Sequence, residues 1–461
     1  MFHTALAALS RAKDPTVRHV WWVLFSTPLA VAQPALAQTT APDQSAASSR
    51  TKDWAIHGQA TVVAQTVFGF PSPYDGPNSL KPKQTKETVD VTFFAGARPW
   101  DGAEFWINPE IDQGFGLSDT LGVAGFPSAE AYKVGKAAPY IRLQRLFLRQ
   151  TISLGGDRTV VEGTANQLGG NQSANRLVLT AGKFGVGDVF DTNAYAHDPR
   201  GDFLNWSVVD AGTFDYAADA WGYSYGLAAE WYQGPWTLRV GAFNLSKVPN
   251  GEVLEHDFSQ SQIDLELEHR HRVGGHDGAV RVTAFRNRGR FGRFDDALAL
   301  AQTAGSPPDT ALVRRRMTRL GIDVNIEQEV SDTLGLFARA GLADGAIEPY
   351  DFTDIDRTAA IGGALKGKAW GRGEDRIGVA AVINGISREH QRYLDAGGIG
   401  VLIGDGTLPH PGSEMIAEAY YDWHAAKGVD LTIDYQFVAH PGYNRDRGPA
   451  NVLGLRLHGA F

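Results

Sequence analysis

Over most of its length the chain alternates apolar and polar residues with a period of two, the pattern of strands that bury one face. In 103–112, Phe105, Ile107 and Ile111 share one face, and Glu104, Trp106, Asn108 and Glu110 share the other. In 261–272, Ile263, Leu265 and Leu267 oppose Asp264, Glu266, Glu268 and Arg270. The last segment, 451–461, sets Leu453, Leu455, Leu457, Gly459 and Phe461 against Gly454, Arg456 and His458, and ends on an aromatic. Sixteen such segments fit between residues 54 and 461, among them 54–68, 86–98, 140–153, 175–184 and 221–232. Each is near the ~9–11 residues of a tilted membrane-crossing strand.

The connections alternate short and long. Short turns include Pro99–Gly102, Gln233–Pro235 and Ala426–Gly428; long loops include 69–85, 113–139, 185–220 and 387–413. Membrane barrels have short periplasmic turns and long external loops. One segment breaks the alternation: 154–174, rich in Gly and Asn, is long where a short turn is due. In 221–231 one parity carries Trp221, Tyr223, Tyr225, Leu227, Ala229 and Trp231, so aromatics are expected at both membrane interfaces. The parity slips in 140–153, where Arg142 and Gln144 fall on the face of Leu146 and Leu148; a β-bulge would repair it. Lys183 and His269 also fall on faces expected to meet lipid, near strand ends where snorkelling is possible.

A water-soluble β-sandwich would alternate in the same way. Two further features separate the readings. The polar faces are dense in charge, and a charge facing lipid costs ~2–4 kcal/mol at the membrane midplane. The N-terminus carries Arg11, Lys13 and Arg18, then an apolar run from Val20 to Ala32, then Ala35-Leu-Ala37, which reads as a secretory signal with cleavage after Ala37. That run is shorter than the ~20 residues of a spanning helix. Without spanning helices, a membrane protein must be a closed barrel. The expected organisation is a signal peptide (1–37), a flexible leader (38–52) and an all-β transmembrane antiparallel barrel of about sixteen strands (53–461).

Among 461 residues there is no Cys, so no disulfide and no Cys-based metal site is possible. The formal charge of −9 argues against a nucleic-acid partner. Sixteen strands leave a water-filled pore, whereas about eight are filled by side chains. With strands beginning near Trp54, no plug domain is expected, and no nucleotide-binding motif supplies energy. By parity the lumen receives Arg98, Arg145, Arg149, Arg239, Arg339 and Arg456, and Glu104, Glu110, Glu266, Glu327 and Glu418. A ring of one sign would select ions; a mixed wall suits a neutral polyhydroxylated solute. Trp106 and Phe147 share those faces and offer rings to the apolar side of a sugar; Asn108 offers an amide. The loop 185–220, with Phe203, Leu204, Trp206 and Val208, is too apolar to stand in water and is expected to fold into the pore mouth. His197-Asp198 has no third ligand at zinc spacing, so no metal site is expected.

Several motifs carry a family resemblance: Gly125-Phe-Pro-Ser-Ala-Glu-Ala-Tyr-Lys-Val-Gly135, Arg145-Leu-Phe-Leu-Arg-Gln-Thr151, Arg98-Pro-Trp-Asp-Gly102, Asn108-Pro-Glu110, Asp188-Val-Phe-Asp-Thr-Asn193, Tyr195-Ala-His-Asp-Pro-Arg200 and Phe203-Leu-Asn-Trp206. With these the chain resembles the OprB-type carbohydrate-selective porins, most specifically over 93–246. The resemblance implies a sixteen-stranded outer-membrane barrel admitting sugars by passive diffusion. It also implies an eyelet of arginines, acids and aromatics, here Arg98, Glu104, Glu110, Arg145 and Arg149 with Trp206 from the loop.

The expectation is thus a passive sugar porin in the outer membrane, without cofactor, metal or enzymatic activity. Its partners would be sugars, the surrounding lipid, the barrel-assembly machinery reading the strand that ends in Phe461, and possible further copies of the chain. The alternatives are a general or ion-selective porin of the same fold and, more remotely, a barrel enzyme such as a protease or phospholipase.

Overall fold

The structure is a computed structural model, and it describes residues 52–131 and 135–461. The expected signal peptide and the leader up to residue 51 lie outside the described residues.

Sixteen antiparallel strands close into one barrel, β1 (Trp54–Val67) pairing with β2 (Gln84–Ala97) on one side and β16 (Ala450–Ala460) on the other. Closure removes the sheet edges that lipid could not satisfy. The seam ends at the last residue: the Phe461 amide donates to the Gly58 carbonyl at 3.0 Å and the Gly58 amide to Phe461 at 3.2 Å. The Phe461 ring lies over Gly58, where a Cβ would meet it at 2.5 Å.

The faces follow the alternation. Phe105 and Ile107 on β3 (Ala103–Gly114), and Ile263, Leu265 and Leu267 on β8 (Ser261–Val273), are exposed outside the wall. Glu104, Glu110, Asp264, Glu266 and Glu268 are buried inside it. Exposed tryptophans Trp54, Trp100, Trp231, Trp236 and Trp423 all adjoin the short-turn end, forming one aromatic girdle.

Three local departures from the alternation have physical causes. Pro109 offers no N–H to the sheet ladder, and the register shifts between Asn108 and Pro109. The resulting bulge on β4 (Lys136–Val161) turns Gln144 inward, fully buried, leaving Ile141 and Leu143 exposed outside. The parity slip is thereby resolved, and Arg145 faces the lumen beside Gln144. Lys183, expected to meet lipid, is instead buried, with its ammonium 2.8 Å from Asp219 and donating to the Leu143 carbonyl. Trp221 and Tyr223, expected on the lipid face, precede β6 (Ser224–Gln233) and turn away from it: the Trp221 indole donates to Tyr140 at 2.7 Å, and Tyr223 is buried against Arg145.

The long segment on the short-turn side also has an explanation. β4 and β5 (Gly170–Phe184) run past the wall, lose register at Gly155 and bend there, where Gly155 and Gly156 take φ of 93° and 85°. The tip at residues 162–169 turns back into the barrel. Leu168 joins an apolar cluster with Trp106 and Phe147, and Asn108 donates to the Asn166 side chain at 2.7 Å.

Candidate functional site

The longest connection, residues 185–223, folds into the barrel, and wall charges hold it. Arg339 on β11 (Leu334–Ala343) donates to the carbonyls of Val208 (2.7 Å), Ala196 (2.8 Å) and Asp191 (3.2 Å). Arg456 on β16 donates to the carbonyls of Pro199 and Asp202, each at 2.7 Å. Glu266 accepts from the Asp191 amide at 2.8 Å, and Glu418 on β14 (Glu414–Ala426) from the Leu204 amide at 2.5 Å. Buried backbone groups need partners, and an irregular loop inside a barrel finds them in charged wall side chains. Arg339, Arg456, Glu266 and Glu418, offered to a solute by parity alone, are engaged by the loop instead.

Two cavities remain between the loop and the wall from β2 to β7 (Trp236–Asn244). The one nearer the long loops, about 310 Å³, is bordered by Glu110, Arg145, Arg200, Trp206 and Tyr223. The one nearer the short turns, about 430 Å³, is bordered by Glu104, Phe147, Arg149, Asn166 and Arg239. Asp188 borders both.

At that junction Arg145 donates to Asp188 twice, from Nε at 2.7 Å and Nη2 at 2.6 Å. The forked geometry is the strong form of the charge-assisted bond. Burial pushes the Asp188 carboxyl up, but Arg145 outweighs it and holds the group below its usual range. Arg145 also lies 4.8 Å from the Tyr223 ring centre. On the other side of the cavity, Arg200 of the loop meets three carboxylates: Asp90 and Glu130 at 3.2 Å and Glu110 at 3.6 Å. Burial opposes the Arg200 charge, and these acids more than restore it. Asp210 faces the same space; burial pushes its carboxyl up to about 6, against the pull of His197 at 3.9 Å.

The residues singled out from sequence therefore separate into groups. Glu110, Arg145 and Trp206 border the outer cavity, with Trp206 stacked on Phe126 at 5.4 Å. Glu104 and Arg149 border the inner cavity, where Arg149 donates to the Asn166 carbonyl at 2.8 Å. Three residues stand apart. Arg98 lies just past β2 at the rim and donates to the Gly169 carbonyl at 3.2 Å, so it holds the hairpin tip. Asn108 is buried under Asn166. Trp106 is fully buried, its indole donating to Glu104 at 3.0 Å and its ring packed over Gly96, and it borders neither cavity. Sequence reasoning missed Asp188, Arg200, Asp210 and Tyr223. Asp188 and Arg200 stood in motifs already noted; Tyr223 was hidden by its apparent lipid-facing parity.

The profile of the carbohydrate-selective porin, OprB family matches residues 78–461. The chain belongs to that family. Its fold is similar to the high-pH structure of Pseudomonas putida OprB, with a TM-score of 0.67 at 17% identity, over 89% of this chain and 94% of that one. It is also similar to the outer membrane channel DcaP of Acinetobacter baumannii, with a TM-score of 0.50 at 12% identity, over 89% of this chain and 97% of that one. No curated protein sequence matches the chain. As an OprB-family porin the protein is a carbohydrate-permeating channel of the bacterial outer membrane, not an enzyme.

Proposed function

We propose that sugars cross this OprB-family barrel passively, by way of the two cavities that meet at the Arg145–Asp188 pair. The single observation carrying the reading is that Asp188, on the infolded loop, and Arg145, on the wall, close the loop against the wall where the two cavities adjoin. A solute entering from the long-loop side meets Arg200 with its acids, Trp206 and Tyr223, then the Arg145–Asp188 junction, then Glu104, Phe147 and Arg149. Guanidinium and carboxylate groups donate to and accept from hydroxyls, while the rings cover a pyranose face. Each base already sits beside acids, so local charge is largely compensated. A neutral solute then finds partners that replace its hydration without trapping it.

The exposed apolar outer face meets lipid in this reading, residues 1–37 serve as the export signal, and the assembly machinery reads the strand closed by Phe461. Association with further copies would use the same apolar outer face.

The test is current through the refolded protein in a planar bilayer, titrated with neutral mono- and disaccharides. Saturable, concentration-dependent block with weak ion selectivity supports the reading. Current indifferent to sugar, with a strong reversal potential in a salt gradient, would instead make this an ion-selective porin.

A further inference from the structure

The outer face of the barrel is apolar along most strands, but not along β9 (His276–Phe291) and β10 (Arg315–Glu329). The outward positions of β9 run Val280, Val282, Ala284, and then Arg286, Arg288 and Arg290. Those of β10 run Ile326, Val324, Ile322, Leu320, and then Thr318 and Arg316. The register places Arg286 beside Leu320, Arg288 beside Thr318 and Arg290 directly beside Arg316. On the other flank Arg286 meets Ile263 and Arg288 meets Ser261. The arginines therefore begin where the apolar band stops, at the end that carries the long loops. The tryptophan girdle lies at the opposite end.

All four side chains are exposed. Same-face neighbours on one strand lie ~7 Å apart, so the three on β9 rise over ~14 Å. Like charges set directly across a sheet destabilise it. Inside the barrel this protein pairs its arginines closely, as Arg319 with Asp215 at 2.9 Å and Arg239 with Glu266 at 2.6 Å. Outside, among the described residues, Arg286, Arg288 and Arg290 form no side-chain hydrogen bond or ion pair, and Arg316 donates only to the Ser259 carbonyl at 2.8 Å. The nearby Asp257 accepts from the Ser259 amide at 2.9 Å and forms no ion pair with Arg316. The patch is thus a set of forked donors with no ion pair of their own, Asp257 acting on Arg316 only at longer range, where the apolar band ends.

We propose that Arg286, Arg288, Arg290 and Arg316 bind the phosphate groups of phosphorylated lipids in the outer leaflet. Guanidinium is suited to this because its planar fork matches two phosphate oxygens. The long aliphatic stems lie along the top of the apolar band while the heads reach the phosphates. The anion relieves the repulsion between Arg290 and Arg316 and anchors one sector of the wall at the membrane surface. The proposal depends on the long loops facing outward, and it is independent of which solute the channel passes.

The experiment uses the mature protein in neutral detergent, titrated with diphosphoryl lipid A, with the same lipid stripped of its phosphates, and with inorganic phosphate as competitor. The structure predicts at least tenfold weaker binding of the dephosphorylated lipid. It predicts a similar loss when R286Q, R288Q, R290Q and R316Q are combined, with single-channel conductance unchanged. The matching set of four Arg→Lys changes keeps the charge and should retain a measurable part of the affinity, which separates charge from misfolding. Equal binding of both lipids, or undiminished binding by the Gln variant, would overturn the proposal. Displacement by low-millimolar inorganic phosphate would reduce the patch to a simple anion site and overturn the lipid assignment.

Discussion

Arg145 on the wall and Asp188 on the infolded loop, 43 residues apart, are joined by two parallel hydrogen bonds of 2.7 and 2.6 Å. The pair does two things at once. It fixes the loop against β4, and it places a neutralised but strongly polar group where the outer and inner cavities adjoin.

Arg145→Ala should therefore change permeation without opening the barrel. Hydrogen bonds to charged groups contribute ~1.5–3 kcal/mol, so sugar block is expected to weaken by roughly tenfold or more, since 1.4 kcal/mol is a factor of ten. The stranded Asp188 carboxylate should shift selectivity toward cations. Single-channel current with sugar titration, and reversal potential in a salt gradient, read both effects. Unchanged block together with unchanged selectivity would remove this pair from the solute's path.

A pH dependence follows from Asp210. Its carboxyl is raised to about 6 by burial, so it is neutral well below that pH and charged well above it. Cation selectivity is expected to increase as pH rises through about 6. Asp210→Asn tests the assignment: the step should shrink clearly in this variant, and a step of full size would assign the titration elsewhere.

The β4–β5 hairpin makes a different prediction. Arg149 and Arg98 hold its tip through the carbonyls of Asn166 and Gly169. Changing both to Ala should release the tip from the inner cavity, raising mean conductance and current noise. The folded barrel should keep its heat-modifiable gel mobility. Deleting residues 162–169 should give a larger conductance gain in the same direction, and a gain from neither variant would show that the tip does not narrow the channel.

Leu455 and Arg456 are adjacent on β16 but face opposite media, which gives a paired test. Leu455→Arg puts a charge on the lipid face at a cost of ~2–4 kcal/mol near the midplane, and the folded fraction after refolding into vesicles should drop. Arg456→Ala removes the donor to the Pro199 and Asp202 carbonyls. It should leave assembly intact and make the 185–223 loop more susceptible to protease added from the long-loop side.

The wall of this protein was legible in the sequence because it obeys a local rule. A strand between lipid and water must alternate, so the pattern of 103–112 or 451–461 reports both the strand and its two faces without reference to any partner. The expected 54–68 and 451–461 became Trp54–Val67 and Ala450–Ala460. Even the parity slip near Gln144 signalled its bulge.

What the alternation could not carry is where the interior side chains go. Trp221 and Tyr223 keep strand-like parity yet leave the strand, because Tyr140 and Arg145 offer them partners. The residues 154–174 could only be recognised as too long, since their return into the barrel depends on Asn108, Arg149 and the apolar cluster that receives Leu168. Arg456 and Glu418 were correctly turned inward, but the loop that occupies them lies more than 200 residues away in the chain. Strand number and facing were set by each segment's own contact with lipid and water. Which inward charges hold the loop, and which remain beside the cavities, was decided only when distant segments met and their buried backbone groups had to be satisfied.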